Sequence, residues 1–108
     1  MSATNGQVTS EAADGMARHA EYKIPGGKLV VVDLRVSGGR LTGVRLSGDF
    51  FLEPPQALEA IDAALEGLPA DADGARIVAA VNAALAPPVA MYGLTVEGIA
   101  VVVQRALA

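Results

Sequence analysis

The spacing of apolar residues changes at Pro54-Pro55, and this change constrains the fold more than any other feature. Between residues 30 and 36 the even-numbered positions are all apolar, which is the two-residue period of a strand with one buried face. After the prolines, apolar residues recur every three or four positions, the period of a helix packed along one side. Strands followed by helices predict an α+β domain, with three helices packed on an antiparallel sheet of about three strands.

The strand half of the chain contains clear turn and bulge signals. A short strand over residues 22–24 and a longer one over residues 28–36 flank a glycine turn. Residues 37–39, with two glycines, are typical of a hairpin loop, because glycine adopts positive φ without steric cost. The returning strand over residues 40–47 changes the phase of its apolar residues. A bulge at Gly43 reconciles the two phases.

The helical half carries start and stop signals. The prolines 54–55 suit the first turn of a helix that ends near Gly67. A second helix is predicted to begin at Asp73 as N-cap and to end before the prolines 87–88. The last segment, residues 99–103, is rich in β-branched residues that favour a strand. Its apolar residues nevertheless form a helical stripe with a capping threonine before it, so we predict a helix.

Length and composition restrict the class of protein. A chain of 108 residues is one small domain, which suits a subunit or accessory module better than an enzyme with a deep active site. With 52% hydrophobic but only 4% aromatic residues, the core is expected to be aliphatic. The absence of cysteine excludes disulfides, thiolate metal sites and cysteine nucleophiles.

The first 17 residues are small, polar and without periodicity, which predicts a disordered leader before a single domain over residues 18–108. The leader lacks the features of a signal peptide, and no apolar run approaches the length of a membrane span. A cytoplasmic protein without a membrane or nucleic-acid partner is therefore expected.

Charge is distributed unevenly along the chain. Between residues 16 and 48, six lysines and arginines against two carboxylates give +4, whereas eight carboxylates against two arginines give −6 from residue 49 onward. The basic half would attract an anionic ligand or an acidic partner surface. The alternative is that these cations form the solvated face of a hairpin.

The turn Gly26-Gly27-Lys28 is the first candidate site. It is not a phosphate-binding Walker A loop, because Tyr22 stands where that motif needs glycine and Leu29 where it needs serine or threonine. A glycine turn still exposes N–H groups to an anion, and the lysine adds charge. We therefore take Gly26, Gly27 and Lys28 as ligand-facing candidates, against the alternative of a tight turn with a solvated lysine.

The segment Asp49-Phe50-Phe51 is the second candidate site. Asp49 is a turn residue, a helix-entry acid or a functional carboxylate. Neighbouring residues of an extended segment point to opposite sides, so Phe50 and Phe51 cannot both face the core. We predict that these three residues contribute to an interface.

His19 is the only histidine of the chain. It cannot join a multi-histidine metal site, and the sequence names no partner that would orient it as a general base. A surface or edge histidine is the favoured interpretation, and we predict neither a catalytic residue nor a metal site in this chain.

Several runs together resemble the accessory domain of lipoate–protein ligases over residues 18–107. They are Arg18-His19, Tyr22-Lys23, Pro25-Gly26-Gly27-Lys28-Leu29-Val30 with Asp33, Ser47-Gly48-Asp49-Phe50-Phe51-Leu52-Glu53-Pro54, and Ala64-Leu65-Glu66-Gly67. In such ligases this domain is either the C-terminal part of the chain or a separate small subunit.

The resemblance implies a division of labour. A catalytic subunit binds ATP, Mg and lipoate, forms lipoyl-adenylate and transfers the lipoyl group to a lysine of a carrier domain. The accessory domain assists activation, binds no cofactor alone and is not an enzyme alone. The expected partner is therefore the catalytic subunit, with the lipoyl carrier domain as a transient second partner. In this interpretation Gly26-Gly27-Lys28 faces the partner's nucleotide site, and Asp49, Phe50 and Phe51 hold the interface or the hairpin base.

Two other functions remain open. One is a generic protein-interaction or small-ligand-sensing domain. The other is a lipoyl carrier modified on Lys28. Acceptor lysines of lipoyl domains lie at the tip of a hairpin in an all-β sandwich, whereas the second half of this chain predicts helices.

Overall fold

The structure, a computed structural model, describes residues 17–86 and 88–108. The predicted leader lies outside the described residues except for Ala17, which begins the first strand. The described residues form five strands and three helices. In chain order these are β1 (Ala17–Lys23), β2 (Leu29–Ser37), β3 (Arg40–Gly48), β4 (Phe51–Glu53), α1 (Ala57–Leu65), α2 (Gly74–Ala84), β5 (Ala90–Tyr92) and α3 (Val96–Leu107). The predicted α+β class is confirmed.

The main sheet is antiparallel, with strand order β1-β2-β3. Its alternation buries one face: Val30, Val32 and Leu34 of β2 are 0%, 0% and 2% exposed. Helix α3 lies against β1 and β2, α1 lies against β3, and α2 packs on both other helices. Helices α1 and α3 thus cover one face of the sheet, and the other face is open to solvent.

The predicted bulge at Gly43 is present. Between the pairs Asp33–Arg45 and Arg35–Thr42, one residue of β2 lies opposite two of β3. Gly43 has a φ of 61°, the left-handed region that glycine enters at little cost. The extra residue turns the apolar side chains on both sides of the bulge towards the same core.

The core is aliphatic, as the composition indicated, and the described residues include no buried polar side chain. Each fully buried aliphatic side chain stabilises the fold by about 1.5–3 kcal/mol. The largest fully buried residues come from β2, β3 and all three helices: Leu41, Leu46, Ile61, Leu65, Ile77, Ile99, Val30, Val32, Val81, Val102 and Val103.

The ambiguous last segment is a helix, as predicted. The Thr95 hydroxyl accepts a hydrogen bond from the Gly98 N–H at 2.9 Å, which caps the first turn of α3. The apolar stripe of α3 is buried against β1 and β2, so burial outweighs the strand propensity of its β-branched residues. Helix α2 also begins as predicted, with the Asp73 carboxylate accepting from the Arg76 N–H at 2.8 Å.

Two features of the segments beside the helices differ from the prediction. Helix α1 begins at Ala57, because Pro54 and Pro55 form a turn whose carbonyls accept from the N–H groups of Ala57 and Leu58. A residue before proline is disfavoured in the helical region, so Pro54 cannot lie inside the helix. The second feature is a two-stranded antiparallel sheet of β4 and β5, which the sequence did not reveal because strands of three residues show no measurable alternation.

The outer edge of β3 is covered at its start by the backbone of the segment after α1, where Leu41 bonds to Leu68 and Gly67. Two carboxylates cover the rest of this edge. The two carboxylate oxygens of Glu66 accept from the N–H groups of Gly43 at 3.1 Å and Val44 at 3.2 Å. Asp62 accepts from the Leu46 N–H at 3.1 Å, and burial raises the pKa of this carboxyl. These bonds satisfy donors that a strand edge otherwise leaves open to another chain.

We expect Glu66→Ala to lower the free energy of unfolding by about 1–2 kcal/mol, because two strand N–H groups lose a charged acceptor. Glu59→Ala, an exposed acid of α1, is the control and should stay within about 0.5 kcal/mol of the native chain. Urea unfolding measures both values. Equal stability of the two variants would contradict the edge-closing role of Glu66.

Candidate functional site

The two motifs that hold the candidate sites, Gly26-Gly27-Lys28 and Asp49-Phe50-Phe51, lie at the same end of the main sheet. Strand β2 starts where β3 ends, and Val30 pairs with Gly48. The Asp49 N–H donates to the Leu29 carbonyl at 3.2 Å. The glycine turn that precedes β2 therefore lies beside the segment that follows β3.

A third segment, which the sequence analysis missed, joins the two motifs. Tyr92 of β5 pairs with Phe51 of β4, and the next residue, Gly93, accepts from the Lys28 N–H at 2.9 Å. We call this region the motif end; it consists of residues 26–28, 49–53 and 92–93. One sequence signal could have indicated this segment. Tyr92, one of only two tyrosines in the chain, precedes Gly93 in a stretch for which no helix or strand was predicted.

The glycine turn is closed by its own backbone. The Gly27 N–H donates to the Ile24 carbonyl at 2.8 Å, and the Ile24 N–H donates to the Lys28 carbonyl at 3.1 Å. Because the Lys28 N–H also binds Gly93, two N–H groups of the turn have partners inside the protein. An anion that approaches the turn would therefore meet the Lys28 side chain more than a set of free backbone N–H groups. That Gly26, Gly27 and Lys28 face a ligand remains a prediction.

The two lysines at the glycine turn, Lys23 and Lys28, have different surroundings. The Lys23 ammonium donates to the carbonyls of Gly27 at 2.8 Å and Ile24 at 3.2 Å, so it ties the turn together. Lys28 is exposed, and its ammonium has no hydrogen bond or ion pair with the residues that the structure describes. Its aliphatic stem lies over Gly93, where a Cβ atom would overlap Lys28 Cγ. Lys28 is thus an exposed cation on a fixed stem.

The second motif has one buried and one exposed ring, as predicted. Phe50 is 9% exposed and belongs to the core, whereas Phe51 is 57% exposed. Phe51 stacks on Tyr92 with ring centroids 4.5 Å apart and an interplanar angle of 16°. These two are the exposed large apolar side chains among the described residues. Asp49 is exposed beside them, and its role in an interface remains a prediction.

An open groove of about 280 Å³ lies next to this aromatic pair. Its walls are mostly apolar, and one carboxylate borders it. The lining residues are Phe50, Phe51, Leu52, Glu53, Pro55 and Leu58. The motif end therefore offers an apolar groove, an exposed aromatic stack and a cation within one surface.

Several cations of the basic half serve the fold instead. Arg18 donates to the last carbonyls of α3, at 3.4 Å to Ala106 and 3.2 Å to Leu107, where the helix dipole favours positive charge. Arg40 donates to the Gly67 carbonyl at 2.9 Å. Part of the positive charge in the first half of the chain thus serves to bind backbone carbonyls. Lys28 remains as the exposed cation at the motif end.

His19 lies on the solvent face of the sheet, between two carboxylates. Its Nδ1 atom is 2.7 Å from Asp33 on β2, and its Nε2 atom is 3.0 Å from Glu21. Hydrogen bonding to Asp33 first, and then to Glu21, raises the pKa of His19 above 6.5. A partner for this histidine was not predictable, because the contact with Asp33 depends on the strand register. No nucleophile lies among these contacts, so they indicate a cross-strand clasp.

Residues 17–86 and 88–108 lack two kinds of feature. They contain no group of three or more histidine, aspartate or glutamate side chains placed to hold a metal ion. They also contain no helix long and apolar enough to cross a lipid bilayer.

Comparison with known proteins gives one structural likeness. No protein-family model and no curated protein sequence matches the chain. The fold is similar to a chain in the structure of an archaeal lipoylation system, described as a bipartite lipoate protein ligase and its E2 lipoyl domain from Thermoplasma acidophilum. The TM-score is 0.66 at 22% identity, and the match covers 87% of this chain and 97% of that chain. At this identity, the likeness establishes a shared fold.

We expect Gly93→Ala to destabilise the protein more than Gly26→Ala by at least about 1 kcal/mol in urea unfolding. Both glycines have positive φ, 83° and 72°, so both variants carry backbone strain of about 1–2 kcal/mol. Only a Cβ at Gly93 overlaps Lys28, since Gly26 has open space around it. Equal losses would show that Gly93 does not fix the lysine stem.

The ring protons of His19 should titrate with a midpoint above pH 6.5 in NMR spectra, and Asp33→Asn should move that midpoint down. Because the folded-state pKa is raised, the stabilisation is complete below about pH 6.5 and is lost as pH rises through the folded-state pKa. Asp71→Asn, in an exposed loop, should leave the midpoint unchanged. A midpoint at or below 6.5 in the native chain would contradict the clasp.

Proposed function

We propose that this chain is the accessory subunit of a bipartite lipoate–protein ligase and that it assists ATP-dependent lipoate activation in a separate catalytic subunit. The observation that carries the proposal is the likeness to a chain of the Thermoplasma lipoylation structure, which extends over 97% of that chain. Independent support comes from the two candidate sites, Gly26-Gly27-Lys28 and Asp49-Phe50-Phe51, which belong to runs that resemble the family and which the fold brings together at one end of the sheet.

Lipoate activation joins two anions, and this gives Lys28 its proposed role. A carboxylate oxygen of lipoate attacks the α-phosphorus of ATP, an oxygen–phosphorus bond forms, and pyrophosphate leaves with the electrons of the broken bond. A cation near the phosphates lowers the cost of bringing these charges together. Lys28 suits this task because its ammonium is exposed and its stem packs on Gly93. The catalytic subunit supplies the ATP and lipoate sites, and the chain supplies the positive charge.

A lipoyl carrier modified on Lys28 is the second candidate, since the Thermoplasma structure also contains a lipoyl domain and the Lys28 ammonium is accessible. Two observations favour the accessory role. Helices α1 and α3 pack on the main sheet and α2 packs on both of them, unlike an all-β sandwich. The Lys28 backbone is also bound through both its N–H and its carbonyl, so this lysine does not project from a free hairpin tip.

A general interaction domain is the third candidate, because an exposed aromatic stack would serve many partners. It accounts for the Phe51–Tyr92 pair but gives no reason for an exposed lysine fixed beside it. The ligase role accounts for both features.

The decisive test measures lipoate-dependent pyrophosphate release by the catalytic subunit of a bipartite ligase from the same organism. We expect the native chain to stimulate release and Lys28→Ala to lower the stimulated rate roughly tenfold, since one charge near a phosphate contributes about 1–4 kcal/mol. Arg76→Ala, which removes an exposed cation in the first turn of α2, is the matched control and should keep the native rate.

The outcomes separate the candidates. An unchanged rate for Lys28→Ala would rule out an electrostatic role of this lysine, and absence of stimulation by the native chain would overturn the accessory function. Intact mass spectrometry of the same mixture tests the carrier function, because only an acceptor gains a covalent lipoyl group.

A further inference from the structure

The outer face of the β4–β5 sheet combines aromatic, acidic and small side chains. Leu52 of β4 is 4% exposed and faces the core, so its neighbours Phe51 and Glu53 point outward. Across the strand pair they face Tyr92 and Ala90 respectively. We call Phe51, Glu53, Ala90 and Tyr92 the β4–β5 face.

The aromatic pair on this face is not required by the core. The chain has two phenylalanines and two tyrosines, and half of these large rings lie on one small exposed sheet. Stacking covers one side of each ring and leaves the other sides in water. Exposed aromatic rings beside an apolar groove are typical of a protein contact surface.

The exposed acid on this face, Glu53, indicates which chemical group a binding partner would bring to it. The Glu53 carboxylate is exposed and forms no hydrogen bond or ion pair with residues 17–86 and 88–108. The small side chain of Ala90 opposite leaves space above it. An arginine satisfies both elements of such a face, because its guanidinium stacks on an aromatic ring and pairs with a carboxylate through two parallel hydrogen bonds. A lysine lacks this planar fork.

We propose that the β4–β5 face binds an arginine-bearing apolar segment of the catalytic subunit, an inference that rests on the function proposed above. The arginine lies between the aromatic pair and Glu53, and an adjacent apolar side chain of the same segment fills the groove lined by Leu52, Pro55 and Leu58. Lys28 packs on Gly93, the residue after Tyr92. Docking here therefore brings the Lys28 ammonium to the border of the interface.

Isothermal titration of the native chain and its variants with the catalytic subunit tests the surface. Phe51→Ala and Tyr92→Ala should each weaken binding about tenfold or more, as expected for central aromatic residues of an interface. Tyr92→Phe keeps the stack and should bind as the native chain does. Thermal unfolding of each variant shows whether it is folded at the temperature of the titration.

A second measurement tests the arginine. Glu53→Gln should weaken binding about twofold to fivefold at low salt and flatten the dependence of affinity on ionic strength. Asp71→Asn is the matched control, because this exposed acid follows Ala70, which binds Gly39 at the opposite end of the sheet. It should leave both the affinity and its salt dependence unchanged. A Glu53→Gln variant that behaves as the native chain would overturn the arginine partner.

The remaining outcomes separate this inference from the proposed function. If the native chain binds and stimulates the catalytic subunit while folded Phe51→Ala binds equally well, the docking surface is wrong and the function stands. If the native chain does not bind, both are overturned. If sedimentation shows a dimer of the native chain that Phe51→Ala dissociates, the face belongs to a second copy and the proposed occupant is wrong.

Discussion

Burial of one face of the three-stranded sheet beneath α1 and α3, with α2 packed on both of these helices, is the contact on which the rest of the structure depends. It determines which residues of β2 and β3 must be apolar, where β3 needs a bulge, and why the β-branched residues of α3 form a helix. The side chains that fill this interface are almost all aliphatic. Phe51 and Tyr92 are therefore not needed inside, and the fold places them together on the surface.

The periodic parts of the chain were predictable, because they report burial directly. The alternation in β2, the glycine bulge in β3 and the caps at Asp73 and Thr95 are local signals, and each is present in the structure. The start of α1 was wrong because two consecutive prolines favour a turn before the helix. Strand β5 was missed because three residues show no period, and its position depends on a partner, β4, that is nearly forty residues away.

The candidate site was only partly predictable for a related reason. Both motifs were recognisable as sequence, but their meeting point depends on strand register and on Gly93. The sequence singled out Lys28 and assigned no site role to Lys23, whereas the structure shows Lys23 binding the turn carbonyls and Lys28 exposed. The partners of His19 were hidden in the same way, since Asp33 becomes its neighbour only when β1 pairs with β2.

The two edge strands of the main sheet, β1 and β3, are closed by different means. This affects how the protein behaves at high concentration, when copies of the chain meet. Acids of and beside α1 occupy the donors of β3, while on β1 the Arg105 guanidinium holds the Glu21 carbonyl at 3.1 Å. The outward side chains of β1 include His19, Glu21 and Lys23, all ionisable. A strand from another molecule would have to displace bound groups on either side, and on β1 it would also have to desolvate charge. The fold therefore has a built-in barrier to fibrillar polymerisation, although it leaves one whole sheet face in water.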